Sequence, residues 1–335
     1  MNGKAIGIKD IARLAGVSTA TVSRTLSQPG MVSTSTRDAV MQAVRATGYR
    51  VNHTARNLRR QRTGSIVALV PRLANPFFSQ ILSGMAGVFS AAGYGLLVAD
   101  TEVAPDPARQ LSHYIHSGIA DGLVLLDARL PRGDLCNRVA GPPVVLACEW
   151  MDDDLPSITV DNVEGAAVAV RHFWQTGHRR IGHITGPAGN VLTESRLHGV
   201  RATLATLGSA LRDDWTFPGD FGLESGARAA AEWLALKDRP TAVFCSSDEM
   251  ACGFIGAVQR AGLRVPDAVS VIGFDDIEVS AHLTPGLTSV RQPRTRIGRE
   301  AGEVMLSMIA AQSLTAPSRR IPLELIRRAS VAPPP

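Results

Sequence analysis

The chain has 335 residues, 45% of them hydrophobic and 19% charged, which is enough for two domains with sizeable cores and excludes a disordered or fibrous chain. Its apolar runs, such as "SIVALV" and "GLVLL", are far too short to span a bilayer, and no apolar secretory core opens it, so the expected location is the cytoplasm. The net charge of +5 divides unevenly: residues 1–62 hold eleven Lys/Arg against two Asp, a net of +9, and the remainder holds 24 against 28 acidic residues, a net of −4. A basic segment on an acidic body points to a polyanion partner for that segment alone.

In chain order, "IKDIARLA" (8–15) has apolar residues at helical spacing, Gly16 interrupts, and Ser18 is a good N-cap for a second helix. In that helix Val22 and Leu26 form an inward stripe, and Pro29–Gly30 ends it. A third helix is expected over about 36–47, with Val40, Ala43 and Val44 inward and Gly48 as its stop. Helix, short glycine turn, helix and a supporting helix is the helix-turn-helix arrangement, whose second helix enters the DNA major groove. That explains the small hydroxyl-rich side chains: the backbone must approach the bases closely. Ser18, Thr19, Ala20, Thr21, Ser23 and Arg24 are the candidate DNA contacts, by hydrogen bonds to bases or phosphates and by methyl contact with thymine. An ordinary helical hairpin is the plainer alternative; the +9 charge disfavours it.

Residues 51–62 are polar and Arg-rich, with Leu58 the one large apolar side chain, and read as a hinge too weak to fold as a helix alone. From Ser65 onward, β-rich runs alternate with helices: strands at 65–70, 95–99, 122–126 and 143–147, then a second series at 180–185, 241–245 and 269–274, with helices such as 77–92 and 166–176 between them. This pattern argues parallel sheets covered on both faces, in two similar lobes. Ligands of such sheets bind beyond the strands' C-terminal ends, here between the lobes. Asn75, Phe77, Asp127 and Glu149 follow strands in this way, and Arg196 is a planar donor suited to sugar hydroxyls or a base edge. Phe77 serves equally as a core anchor. Asp161 and the pair Asp275–Asp276 also end strands; capping and lobe-interface roles outweigh a metal role. His113 and His116 read as surface residues, and the four cysteines as reduced and buried, without metal-ligand spacing.

No Walker A loop, dinucleotide fingerprint after a strand, nucleophile elbow or zinc-helix motif occurs, and "TGPAGN" (185–190) is a weak phosphate-loop match. No catalytic residue, cofactor or metal is therefore expected. A cytoplasmic α/β enzyme of nucleosides or sugars remains the alternative of a different class, and a transporter's solute-binding protein is set against by the basic segment.

"IKDIARLAGVSTATVSRTLSQPGMVSTSTRDAVMQAVRATGYRVN" resembles the DNA-binding headpiece of the LacI-type bacterial repressors. "HRRIGHITGP", "PTAVFCSSDEMACG" and "VPDAVSVIGFDDI" follow that family's pattern in order, so the resemblance covers essentially the whole chain. It implies an all-α helix-turn-helix headpiece (1–50), a hinge (51–62) and an α/β bilobed periplasmic-binding-protein-like core (63–330) of two doubly wound parallel-sheet lobes. The N-lobe would take about 63–162 and 292–320 and the C-lobe about 163–291 and 321–330, with 331–335 a disordered tail. The resemblance further implies a transcriptional repressor that binds a pseudo-palindromic operator as a homodimer, nucleoid-associated when on DNA and released or tightened allosterically by a small molecule. In the hinge, Asn52, Ala55, Arg56 and Leu58 would contact DNA, Leu58 as a minor-groove wedge. In the core it implies effector contacts at Arg196, at Phe221 as a stacking aromatic and at Asp248 as a carboxylate, a residue that also suits a helix cap. "STATVSR", "PPVVLACEW", "GDFGLESG" and "TAVFCSSD" are most similar to members that respond to cytidine, so the implied effector is a nucleoside such as cytidine, with a sugar, sugar acid or purine as alternative. The end of the chain, "LELIRRASVAPPP", lacks leucine heptads, which favours a dimer over a coiled-coil tetramer.

Overall fold

The structure is a computed structural model and describes residues 6–49, 62–131, 133–136, 141–151 and 155–335. It divides into two compact units, residues 1–62 and 63–335.

The first unit contains α1 (Ile8–Leu14), α2 (Thr19–Ser27) and α3 (Thr34–Thr47). Gly16 takes the left-handed turn between α1 and α2 at φ +64°, a conformation other residues rarely adopt. Ser18 Oγ accepts from Thr21 N–H at 3.1 Å, capping α2. Ser33 Oγ accepts from Thr36 N–H at 3.3 Å, so α3 starts two residues before the sequence spacing indicates. Ile11, Ala12, Val22, Val40 and Ala43 form a small core, with Leu26 and Val44 packed against it. Leu14 shares the apolar spacing of α1 yet is 60% exposed, since a helix of seven residues turns one face only to α2 and α3.

The second unit holds two six-stranded sheets. In the first sheet, β1 (Ser65–Val70), β2 (Gly95–Asp100), β3 (Gly122–Leu125), β4 (Val144–Ala147), β5 (Ser157–Val160) and β11 (Arg319–Ile321) run in the order β11-β5-β4-β3-β1-β2, all parallel. In the second, β6 (Ile181–Ile184), β7 (Thr216–Phe217), β8 (Ala242–Cys245), β9 (Ser270–Asp275), β10 (Thr288–Arg291) and β12 (Glu324–Ile326) run in the order β12-β10-β9-β8-β6-β7, and β12 alone is antiparallel. Alternation of side chains across each strand explains the layering. On β1, Ile66, Ala68 and Val70 join a core with α4 (Phe77–Ala91) and α11 (Arg294–Ala311), while Val67 and Leu69 join one with α5 (Pro107–His116) and the segment around the short α6 (Gly133–Cys136). On β8, Val243 and Cys245 face α9 (Leu223–Ala235) and α10 (Asp248–Arg260), and Ala242 and Phe244 face α7 (Asn162–Gln175) and α8 (Val191–Thr206).

The chain passes from one sheet to the other three times: between β5 and α7, between β10 and α11, and between β11 and β12. Ile321 belongs to the first sheet and its core, so the last crossing falls at Pro322–Leu323. The C-terminal residues are ordered, contrary to the expected disorder. Ala332 N–H donates to Ser270 Oγ at 3.0 Å, and Ala332 O lies 2.8 Å from His178 Nε2. Proline stiffens this stretch and lowers the entropy lost in fixing it. Cys148 and Cys245 are buried and Cys252 is half-buried rather than buried; all three are free thiols, and the Cys136 side chain lies outside the described residues. His113 and His116 are exposed. No helix among the described residues is long and apolar enough to cross a membrane.

Candidate effector cleft and DNA-binding surface

On α2 the buried side chains are Val22 and Thr25, the latter tied by its hydroxyl to Thr21 O at 2.8 Å. Thr19, Ala20, Ser23 and Arg24 recur at one- and four-residue spacing and are exposed, so they share the opposite face. Ser18 is exposed at the start of that helix, and its hydroxyl also lies 2.9 Å from Thr21 Oγ1. The short side chains leave the helix backbone open to a duplex groove. Asn52, Ala55, Arg56 and Leu58 lie outside the described residues.

In the second unit a cleft of about 220 Å³ opens between the lobes. Residues that follow strand ends line it, as the sheet topology requires. Asn75, Phe77, Asp127 and Glu149 line it from the first lobe, and Arg196 and Phe221 from the second. Six of the seven effector candidates thus meet in one place. Asn75 Oδ1 accepts from Phe77 N–H at 2.8 Å, which turns the chain into α4. Phe77 lines the cleft and also belongs to the first core, so both of its readings hold.

Asp248 is the exception. It is fully buried beneath the cleft and does not line it. Its Oδ1 accepts from Ser289 Oγ at 2.6 Å, and its Oδ2 from Ser280 Oγ at 2.6 Å and Ile277 N–H at 2.8 Å. Nor does it cap α10, because Ser247 does so by accepting from Met250 N–H at 3.1 Å. Its work is to pin the segment after β9. Gly273 makes room for it: a Cβ there would stand 2.1 Å from Asp248 Oδ1.

Arg196 is 2% exposed and forms the cleft floor. Its Nε donates to Asn162 Oδ1 at 2.9 Å and its Nη1 to Ser246 O, and its guanidinium lies over the Phe274 ring at 3.8 Å. Burial lowers its pKa to about 10, so it stays charged at neutral pH. Asp275, also buried, accepts from Gln292 Nε2 at 2.7 Å; burial raises its pKa to about 6 against the pull of Arg196. Asp127 has both oxygens occupied, Oδ1 by the Arg129 N–H groups at 2.9 and 3.0 Å and Oδ2 by Thr101 Oγ1 and Arg129 Nη2 at 3.1 and 3.0 Å. It therefore shapes the wall and orients Arg129. Burial raises the Glu149 carboxyl as well, and Asn190 Nδ2 and Ala128 N–H donate to it. Phe221 stands at φ +66° with its guanidinium neighbour Arg196 5.7 Å from the ring.

Among the cleft residues not legible in the sequence as effector contacts are Arg72, Asn190, Asp275 and Gln292. Arg72 follows β1 by two residues, a position equivalent to those that did identify Asp127 and Glu149. Asn190 ends "TGPAGN", where its side chain caps α8 rather than cradling phosphate. Asp275 carried two plainer readings, and Gln292 follows β10, whose four residues gave no apolar run. The resulting cleft combines three arginines, carboxylates and three phenyl rings, a set that grips hydroxyl groups and a flat apolar face.

Comparison with known proteins agrees with this architecture. Residues 7–52 match the family described as bacterial regulatory proteins, lacI family, and residues 170–331 match a periplasmic binding protein-like domain. The HTH-type transcriptional repressor CytR of Escherichia coli is 38% identical over 325 residues, which is 96% of this chain and 95% of that protein. The HTH-type transcriptional repressor PurR of Photobacterium profundum is 34% identical over 327 residues, 97% of this chain and 98% of that protein. The Lac repressor dimer bound to operator and the anti-inducer ONPF superposes with a TM-score of 0.86 at 25% identity, covering 98% of this chain and 100% of that one. The CelR–cellobiose complex gives a TM-score of 0.75 at 29% identity, covering 97% and 100%. The chain belongs to the LacI family: it is a DNA-binding transcriptional repressor with an effector-binding domain, and not an enzyme.

Proposed function

We propose that the effector is a nucleoside such as cytidine, and that its binding between the lobes sets the affinity for operator DNA. The observation that carries this reading is the juxtaposition on the cleft floor of Arg196 and Asp275 with the half-buried Phe221 ring. The charged pair suits the vicinal hydroxyls of a ribose, and the ring suits the face of a base. The 38% identity to CytR supports it, together with the stretches similar to cytidine-responsive members. A purine effector is the second reading, favoured by the 34% identity to PurR.

On the DNA side, Thr19, Ala20, Ser23 and Arg24 read base edges, with Ser18 and Thr21 at the helix start. Asn52, Ala55, Arg56 and Leu58 fold on the operator, and Leu58 enters the minor groove. The chain acts as a homodimer on a pseudo-palindrome. Two observations support the dimer: the Lac repressor dimer relative, and the edge strand β2, whose Leu97 and Val98 are 46% and 39% exposed. The protein works in the cytoplasm, on the nucleoid when bound. A coupling of about 1–3 kcal/mol between cleft and operator gives roughly 5–150-fold regulation.

A thermal-shift screen of the protein without DNA, against nucleosides, nucleobases, pentoses, hexoses and sugar acids, tests the effector. A ligand at about 100 times its Kd adds roughly 2.7 kcal/mol, a shift of several degrees. A shift with cytidine that is lost in Arg196→Ala is the expected result. A shift with a purine or sugar alone rejects the nucleoside reading and keeps the repressor.

A further inference from the structure

Arg196 and Asp275 are buried charges of the cleft, and each is held by a side chain from a segment that crosses between the lobes. Arg196 Nε donates to Asn162 Oδ1 at 2.9 Å. Asn162 is the first residue of α7, directly after the chain leaves β5, and is 2% exposed. It forms no part of the cleft wall. Its own amide donates to Val160 O on β5 at 3.3 Å, so its orientation is set by the crossing strand. Asp275 Oδ1 accepts from Gln292 Nε2 at 2.7 Å, and Gln292 follows β10 at the second crossing. Two residues on, the buried Arg294 donates to Pro76 O in the first lobe at 3.3 Å and to Asp276 O in the second at 3.0 Å. Asp275 and Asp276 stand at φ +112° and +51°, a backbone that persists only where its surroundings fix it.

Lobe closure bends the crossing segments. Here those same segments carry the groups that aim Arg196 and Asp275. We infer that Asn162 is a positioning residue, which fixes the effector-gripping geometry of Arg196 from the first interlobe crossing, and that Gln292, itself on the cleft wall, ties Asp275 to the second crossing, so that effector grip and lobe angle become one event. The inference rests on the reading of the cleft as the effector site. A purely structural contact would lower thermal stability without a selective loss of ligand affinity.

The test uses the full-length protein as wild type, Asn162→Ala, Asn162→Asp and Gln292→Leu. Cytidine is titrated without DNA, and binding to a duplex selected from a random pool is measured without ligand. Asn162→Ala and Gln292→Leu should bind the duplex within about threefold of wild type yet lose at least about tenfold in cytidine affinity, the scale of a lost hydrogen bond to a charged group. Asn162→Asp keeps an acceptor for Arg196 but gives up the donation to Val160 O, so it should recover part of the loss. Unchanged cytidine affinity in Asn162→Ala and Gln292→Leu overturns the inference. A second readout needs no ligand: exchange of the Arg196 Nε–H with water, followed by NMR in the free protein. It should be slow in wild type and Asn162→Asp, and at least about tenfold faster in Asn162→Ala, where that donor has lost its buried acceptor. If cytidine leaves the wild type untouched, the nucleoside reading fails by itself and the exchange rates decide: equal rates in wild type and Asn162→Ala overturn the positioning role, and a faster rate restored by Asn162→Asp upholds it.

Discussion

Glu149, on the loop leaving β4 in the first lobe, accepts a 2.8 Å hydrogen bond from Asn190 Nδ2 at the start of α8 in the second, joining the two walls of the cleft. The Asn190 Oδ1 is committed elsewhere, accepting from Leu192 N–H at 2.9 Å and Thr193 N–H at 3.4 Å as the cap of α8. One residue thus caps a helix with one atom and bridges the lobes with the other. Asn190→Asp separates the two functions, because Asp caps as well as Asn. It replaces the donor by a second carboxylate oxygen against Glu149. Thermal stability should change less at pH 5 than at pH 8, because burial raises the Glu149 carboxyl and the added like charge raises it further, and effector affinity should fall about tenfold or more by pH 8 as the repulsion develops. Calorimetric titration at the two pH values checks this; equal affinity at both would show that the cross-lobe bond is not part of ligand binding.

The Phe221 ring depends on Gly186. A Cβ at Gly186 would lie 2.3 and 2.4 Å from two ring carbons of Phe221 and 2.4 Å from Thr193 Oγ1, all far inside van der Waals contact. Phe221 already occupies a left-handed backbone at φ +66°, so it has little freedom to yield by rotating its main chain. Gly186→Ala should expel the ring from the stacking position. The expected phenotype is a repressor that binds operator as wild type and no longer responds to effector, read by duplex binding with and without ligand. Retention of the response would mean that stacking on Phe221 contributes nothing.

Much of this was written in local sequence. The β1 run "SIVALV" is bounded as its strand is, and Ser18, Thr19 and Ser23 are exposed at the start and on the outer face of α2, whereas Thr25 turns into the core. What stayed hidden follows physical rules. β5, β10, β11 and β12 are only three or four residues long, mix polar with apolar side chains, and are defined by pairing with strands far away in sequence. Gln292 was lost with β10. Asp248 misled for a different reason: a carboxylate after a strand end has the same local signature whether it faces a cleft or the interior, and here Ser280 and Ser289, more than thirty residues away, take it inward. The tail was misjudged because proline-rich composition tells of low helix and strand content, not of the Ser270 and His178 partners that hold it.

Burial raises the Asp248 carboxyl from an ordinary value near 3.8 to about 7, against three donors that pull it down. A carboxyl raised in the folded state binds its proton more tightly there than in the unfolded chain. Its contribution to stability is therefore full below about 3.8 and is lost as pH rises through about 7. Asp275, raised to about 6, acts in the same sense. His183, lowered to about 4 by burial, acts in the opposite sense, so the carboxyl contribution, on the order of 2–4 kcal/mol between pH 5 and pH 8, is read as the difference in the pH dependence of urea resistance between wild type and a variant without the carboxyl. Asp248→Asn should flatten that dependence. Its Oδ1 can accept from Ile277 N–H and Ser280, while its Nδ2 donates to a rotated Ser289 hydroxyl. Effector affinity should not change in this variant, since Asp248 does not reach the cleft; a large loss would return the residue to the ligand site.

Arg24 tests how the headpiece reads sequence. It lies on the exposed face of α2 with Ala20 one turn before it, while Val22 and Thr25 hold the opposite face in the core. Its removal should leave the fold of the unit intact, because no core contact goes with it. An arginine that grips a guanine edge discriminates by about 1–3 kcal/mol, whereas one that touches only phosphate weakens all duplexes alike and lowers the salt slope by about one unit. The polar, short neighbours on this face allow the close approach that base reading needs. Arg24→Ala should therefore weaken binding to a selected duplex by about 5–150-fold more than binding to a random one, with the preference lost at a single base-pair step. Measured at two salt concentrations, a uniform loss with a shallower slope would instead assign Arg24 to the phosphate backbone and leave base reading to Thr19, Ala20 and Ser23.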